Sequence, residues 1–201
     1  MEICRRNDQI EISELDPFLA ELFRQIPTSA NPEGLPAAEK RLFSPPTNGK
    51  EAEICAEWKI YVEPELRRLF QTATQTVAAD LEQLNGSERI LANRTLRIPC
   101  KHADAWLSAL NQARLVIAAK NNFTEGELGD HFRSPTGSRR DLSLFQVNFY
   151  GFLQEFILRE LKLYIVHGLL HLHRFDDQTP GKAHKMKAAQ SKILRACSRH
   201  R

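Results

Sequence analysis

Between Leu142 and His173 the chain places Phe, Leu, Ile, Val or Tyr on nearly every face of a helical wheel, interrupted by Glu155, Arg159, Glu160 and Lys162. A helix that is apolar all round must be covered by other elements, so this stretch predicts a buried helix around which the rest is organised. The four charges keep its apolar runs well short of the ~20 residues that span a bilayer. The start, Met1 to Ile10, alternates charge with isolated apolar residues and has no core resembling that of a signal peptide. A soluble, cytoplasmic protein with no membrane partner is therefore expected.

The other periodic segments are helical too. Ser13, as an N-cap, would open a helix with Leu15, Phe18, Leu19, Leu22 and Phe23 on one stripe and Pro17 in its first turn. Residues 27–50 are rich in Pro and Gly and read as an extended connector, with one short helical turn near Ala37 to Phe43. From Glu51 to Leu84 apolar residues recur at three- and four-residue steps, including Trp58, Tyr61, Val62, Leu66, Leu69, Phe70, Val77 and Leu81. Pro64 should kink or split this helix, and Asn85-Gly86 should cap it. Leu96 and Ile98 flank Arg97 in what is at most an isolated strand. Lys101 to Asn121 is helical, with Trp106 in its apolar face, and Trp58 and Trp106 are both expected in the core.

Gly126, Gly129, Pro135 and Gly137 break the pattern. The expected organisation is a helical domain over 1–125, a linker over 126–141 and a C-terminal segment over 142–201. The fold class is mainly α: a helical N-terminal domain, then the buried helix, a metal-loop-like turn and a basic C-terminal helix from about Lys182 to Ser198. Hydrophobic residues at 42% and charged residues at 26% allow a packed core. Cys4, Cys55, Cys100 and Cys197 form no CxxC pair and read as reduced thiols.

Charge is unevenly placed. The last twenty residues hold seven of the 28 Lys and Arg and none of the 25 Asp and Glu, so a net −4 remains for residues 1–181. A basic helix carrying Lys182, Lys185, Lys187, Lys192 and Arg195 can track a phosphate backbone, or can simply be a solvated helix.

The chemistry is concentrated in residues 164–177, Tyr-Ile-Val-His-Gly-Leu-Leu-His-Leu-His-Arg-Phe-Asp-Asp. His167 and His171 are four apart, which puts both imidazoles on one helix face at the spacing that grips a single transition-metal ion. Asp176 or Asp177 could supply a third ligand from the turn beyond. Two imidazoles and a carboxylate would leave a fourth zinc position open for water. The alternative is that these are satisfied structural histidines, with His167 capping a buried network and His173 facing water. Asn111 and Arg114 share a face of their helix and read as a structural pair, with a functional role as the alternative.

The run His167-Gly168-Leu169-Leu170-His171-Leu172-His173-Arg174-Phe175-Asp176-Asp177 resembles the H-G-x-L-H-L-x-G-Y-D-H signature of the YbeY-type endoribonucleases, zinc-dependent bacterial enzymes of rRNA maturation. The resemblance covers about residues 158–201 and continues through Met186, Ile193 and Leu194. It implies a Zn2+ cofactor held by His167, His171 and Asp177, with Asp177 standing where the family carries His. It implies a catalytic-centre role for Asp176, orienting an imidazole, and rRNA or a ribosomal particle as partner through the basic tail. Arg174 stands where that signature has Gly, and Phe175 where it has Tyr. The sheet and the T-D-V-L-S-F-P segment of those enzymes have no counterpart here; Leu128-Gly129-Asp130 is faintly similar to one of their strands. Residues 1–125, through Asp16-Pro17-Phe18-Leu19-Ala20-Glu21-Leu22 and the Ala105-Trp106-Leu107-Ser108-Ala109-Leu110-Asn111 helix, resemble an uncharacterised bacterial helical family. Two functions follow as expectations: a zinc-dependent, single-strand-specific endoribonuclease, or a non-catalytic helical adaptor carrying a degenerate C-terminal remnant.

Overall fold

The computed structural model describes residues 1–47, 51–84, 94–129 and 137–198 of the 201-residue chain. The expected Asn85-Gly86 cap, Asp130, most of the linker core (130–136) and the tail bases Arg199 and Arg201 lie outside the described residues. In order, the elements are β1 (Glu2–Arg6), β2 (Gln9–Leu15), α1 (Pro17–Arg24), α2 (Ile26–Ser29), α3 (Pro36–Phe43), α4 (Ala52–Glu57), a π turn (Trp58–Val62), α5 (Glu63–Leu81), β3 (Arg94–Pro99), α6 (Ala103–Asn121), α7 (Glu125–Gly129), α8 (Arg139–Leu172) and α9 (Pro180–Ser198). The fold is mainly α. The chain divides into two compact units, Met1–Gln154 and Glu155–Arg201.

The N-terminus corrects the sequence reading. Residues 2–15 form an antiparallel hairpin, and the segment at 94–99 is its third strand, with β2 in the middle. Ile10 pairs with Ile98 and Ile12 with Leu96, and all four side chains are buried, which is the cross-strand apolar packing that holds a small sheet together. Asn7, at φ +54, makes the tight reversal that Asn tolerates best after Gly. Ser13 therefore sits in a strand, and the N-cap of α1 is Asp16, whose Oδ1 accepts from the Leu19 backbone N–H at 2.8 Å, with Pro17 at the first helical position.

The expected 51–84 helix is interrupted where Pro64 disturbs it. Proline has no N–H to donate to the preceding turn, and the helix accommodates this by a π turn in which the Glu63 N–H reaches Trp58 O. The extra residue rotates the two halves out of phase. Tyr61, Val62 and Leu69, expected on the apolar stripe, are exposed, while Ala73, Val77 and Leu81 are buried. Trp58 is half-buried, its Nε1–H donating to the Phe43 carbonyl at 3.2 Å.

In the first unit α6 is the central helix and packs against α5, α2 and α3. Its buried face alternates small Ala103, Ala109 and Ala113 with Trp106, Leu110, Val116 and Ile117, so neighbouring helices approach closely. Phe23 meets Trp106 and Phe149 edge to face, at centroid distances of 6.2 and 5.5 Å. Arg114 Nη1 donates to Gln154 Oε1 at 2.6 Å and Gln154 returns a bond to Leu107 O at 3.1 Å, joining α6 to α8. Asn111 is exposed, so Arg114 has Gln154 where the sequence suggested Asn111.

Residues 142–154 of α8 belong to the first unit, where Val147, Phe149, Tyr150 and Leu153 are buried, and not to the C-terminal segment that loop-forming composition suggests. In the second unit α9 returns along the remainder of α8. Val166, Leu170 and Met186 form a small core flanked by Ala189 and Leu194, and Gln190 Nε2 donates to Leu163 O at 2.8 Å. A helix covered on all sides was expected here. Instead Ile165, Leu169 and Leu172 are exposed, Leu172 at 81%, because they point away from the face that α9 covers. Among the described residues, Cys4, Cys55 and Cys100 are free thiols. No helix among them is long and apolar enough to cross a membrane.

Candidate metal centre

The end of α8 determines the geometry. After Leu172 the chain reverses through His173 and Arg174: the Arg174 N–H bonds to His171 O at 3.0 Å and the Phe175 N–H to Leu170 O at 2.9 Å. This pair of bonds is the Schellman pattern, and it requires a left-handed residue after the cap. Arg174 takes that conformation, at φ +65, where glycine would be cheapest. The reversal folds residues 175–177 back beside the last turns of the helix.

Three side chains converge there. His167 Nε2 and His171 Nε2 are 3.2 Å apart, with the ring planes at 85°. Asp177 brings Oδ2 to 3.7 Å from His167 Nε2 and Oδ1 to 3.9 Å from His171 Nε2. One ligand atom from each residue lies within 4.8 Å of the others, and all three side chains are partly open to solvent. With metal–ligand bonds of 2.0–2.2 Å, the edges of a tetrahedral zinc site are about 3.3 Å long, so these separations need only a slight contraction to fit one ion.

The donor set is also chemically prepared. His171 Nδ1 lies 3.2 Å from the Phe175 carbonyl oxygen, which can only accept, so the Nδ1–H donates to it. That leaves the Nε2 lone pair of neutral His171 directed at His167 and Asp177. A backbone carbonyl holding the far nitrogen is the usual way a metal-ligating imidazole is oriented. Without a metal, the same short Nε2–Nε2 separation is satisfied by an N–H donated from His167.

Asp176 is engaged elsewhere. Its Oδ1 accepts from the Gln178 N–H at 2.9 Å and its Oδ2 from Lys182 Nζ at 2.8 Å. The hydrogen bond from Lys182 is the main reason its carboxyl is held below the ordinary range, with the Gln178 N–H adding to it. These contacts tie the turn to the first turn of α9, which opens with Thr179 and Pro180. Imidazole orientation, assigned to Asp176 by the resemblance, is carried at His171 by the Phe175 carbonyl. His173 is exposed. Along α9, His184, Lys187, Lys192 and Arg195 line a shallow groove of about 560 Å³.

A second His–Asp arrangement was not legible in the sequence. Asp80 at the end of α5 is buried, receives Trp106 Nε1–H at 2.8 Å, and has both carboxylate oxygens 3.0 Å from His102 Nδ1. Its partners are 22 and 26 positions away, and no local spacing points to them.

Comparison with known families finds that Domain of unknown function (DUF2017) matches residues 7–161, more than three-quarters of the chain, and the protein belongs to that family. The match runs past the expected boundary at 125 and ends before His167. No curated protein and no solved structure matches the chain.

Proposed function

We propose that the second unit holds one divalent transition ion, Zn2+ by preference, through His167, His171 and Asp177, and that the protein acts as a metal-dependent endoribonuclease on single-stranded RNA. The observation that carries the metal reading is the convergence of two imidazole nitrogens and a carboxylate within coordination range. The RNA reading is supported by the resemblance of residues 158–201 to rRNA-maturation enzymes and by the bases along α9. When bound, zinc would supply Lewis acidity toward a phosphoryl oxygen and lower the pKa of water toward about 7. The chain's own contributions are distinct from this. His167 and His171 hold their nitrogens one helical turn apart, Asp177 closes the set from the turn, and the Phe175 carbonyl keeps the Nδ1 proton on His171. Lys187, Lys192 and Arg195 offer a phosphate backbone a salt-sensitive attraction.

Elemental analysis of the purified protein tests the first half: about one zinc per chain is expected, and none in His167→Ala or His171→Ala. The second half is tested by incubation with single-stranded rRNA fragments, where cleavage should disappear with EDTA and return with added zinc. A second reading has one observation in its favour, that the family match stops short of all three ligands. In it, residues 7–161 form a non-catalytic helical module and the ion, where bound, only braces the turn. Zinc bound at full stoichiometry with no cleavage would select that reading.

A further inference from the structure

The first unit contains a cleft of about 520 Å³ between the α2–α3 connection, α3 and α5, with α6 at its floor. That volume lies in the range of small-molecule sites, roughly 300–1,000 Å³. Gln112, on α6, lines the cleft and is 97% buried. Its amide makes one hydrogen bond, from Nε2–H to Ser108 Oγ at 3.1 Å, which leaves the carbonyl oxygen and the second N–H uncommitted. The Gln112 carbonyl oxygen is not sealed from solvent, so this polar edge is open to the cleft although the residue as a whole is buried. A guest in the cleft can take the place of water on that edge.

The walls and rim narrow the class of guest. Phe43 and Phe70, with ring centroids 5.7 Å apart, form an apolar side. The cationic side chain at the rim, Arg67, is already committed to Glu39 at 2.6 Å and Glu63 at 2.8 Å, and its guanidinium lies over the Phe43 ring. Glu33 adds a further negative charge to the rim. Anions such as phosphates are therefore disfavoured, while a flat, uncharged ring with a donor beside an acceptor matches the free carbonyl and N–H of Gln112. That complementarity is the one by which Gln and Asn side chains read base edges.

We infer that this cleft binds an uncharged planar heterocycle of the nucleobase kind, held edge-on by the Gln112 amide and packed against Phe70. The inference concerns the first unit and does not depend on the metal centre.

Isothermal titration of the full-length protein with adenine and with uracil tests it, with toluene as a ring lacking the polar edge and adenosine monophosphate as the charged comparator. Saturable binding of adenine or uracil is expected, weakened at least tenfold in Gln112→Leu. Ala78→Trp is expected to abolish it, since Ala78 is an exposed position at the cleft where added bulk fills the site without disturbing the core. Adenosine monophosphate should bind more weakly than adenine. The inference is overturned if neither base binds up to 1 mM, or if binding survives unchanged in Ala78→Trp. Equal binding of toluene, or tighter binding of the monophosphate, also overturns it.

Discussion

Asp80 illustrates what one buried carboxylate does for this molecule. It accepts the indole N–H of Trp106, the largest fully buried side chain, and contacts His102 at the start of α6, so a single side chain joins the end of α5 to the first turn of α6. Asp80→Ala leaves the indole N–H without an acceptor and should cost about 2–3 kcal/mol, measured by urea unfolding followed by Trp fluorescence. Asp80→Asn, which keeps an acceptor oxygen, should cost less. Tyr150 is the corresponding residue on α8. Its hydroxyl donates to Leu22 O and accepts from Gln146 Nε2, both at 2.7 Å, and burial pushes its pKa up to about 12. An unfolded tyrosine ionises near 10, so the unfolded chain sheds this proton first as pH rises. The contribution is therefore intact below pH ~10 and is lost as pH climbs toward about 12. Comparison of alkaline unfolding curves should show Tyr150→Phe flattening that decline, at a cost near neutrality of about 1 kcal/mol.

Among the elements, long-period helices were readable and short or conditional features were not. The stripe over Lys101 to Asn121 survives as α6 because its 3.6-residue repeat is unbroken and its alanines tolerate close packing. The β-hairpin was missed because Ile10 and Ile12 offer only two alternations, and their partners Ile98 and Leu96 lie more than 80 residues away. Pro64 disturbs the helix, as a proline inside a helical repeat must. That the disturbance takes the form of a π turn, turning Tyr61 and Leu69 outward, depends on how the helix redistributes its bonds, which spacing does not encode. At the site the pair His167 and His171 was visible from spacing alone, whereas delivery of Asp177 depends on the reversal at Arg174. That reversal carries a conformational cost, since an arginine holds φ +65. Arg174→Gly should stabilise the end of α8 by about 0.5–1 kcal/mol, read from thermal unfolding. It should leave zinc stoichiometry unchanged, because the backbone path to Asp177 is kept.

At the scale of the whole molecule, the two units differ in kind. Met1–Gln154 holds the aromatic core, the sheet and most of the family segment, whereas Glu155–Arg201 rests on a core of Val166, Leu170 and Met186. So small a core contributes little by burial alone, and a bound ion would matter correspondingly more. With free zinc at 100 times its dissociation constant, ion binding should add about 2.7 kcal/mol to the folded unit. Hydrogen exchange should then slow about a hundredfold across the end of α8 and in α9, with no change in α6. His167→Ala should abolish the effect. The boundary expected at 126–141 reflected loop-forming composition, while the units are separated by packing: Phe149 and Tyr150 anchor the early turns of α8 to Phe23 and Leu22.

The Schellman reversal after Leu172 also bears on how the centre is assembled in time. All three proposed ligand residues come from one stretch of eleven, and closing so short a loop costs little chain entropy. Such a centre has low contact order. It can form as soon as this stretch of helix and turn exists, without waiting for the slower pairing of β2 with a strand more than eighty residues away. Loss of the ion would likewise be a local event, leaving the aromatic core around Phe23 and Trp106 intact. Coordination of the proposed ion and folding of the family segment would thus be separable steps in the life of the same chain.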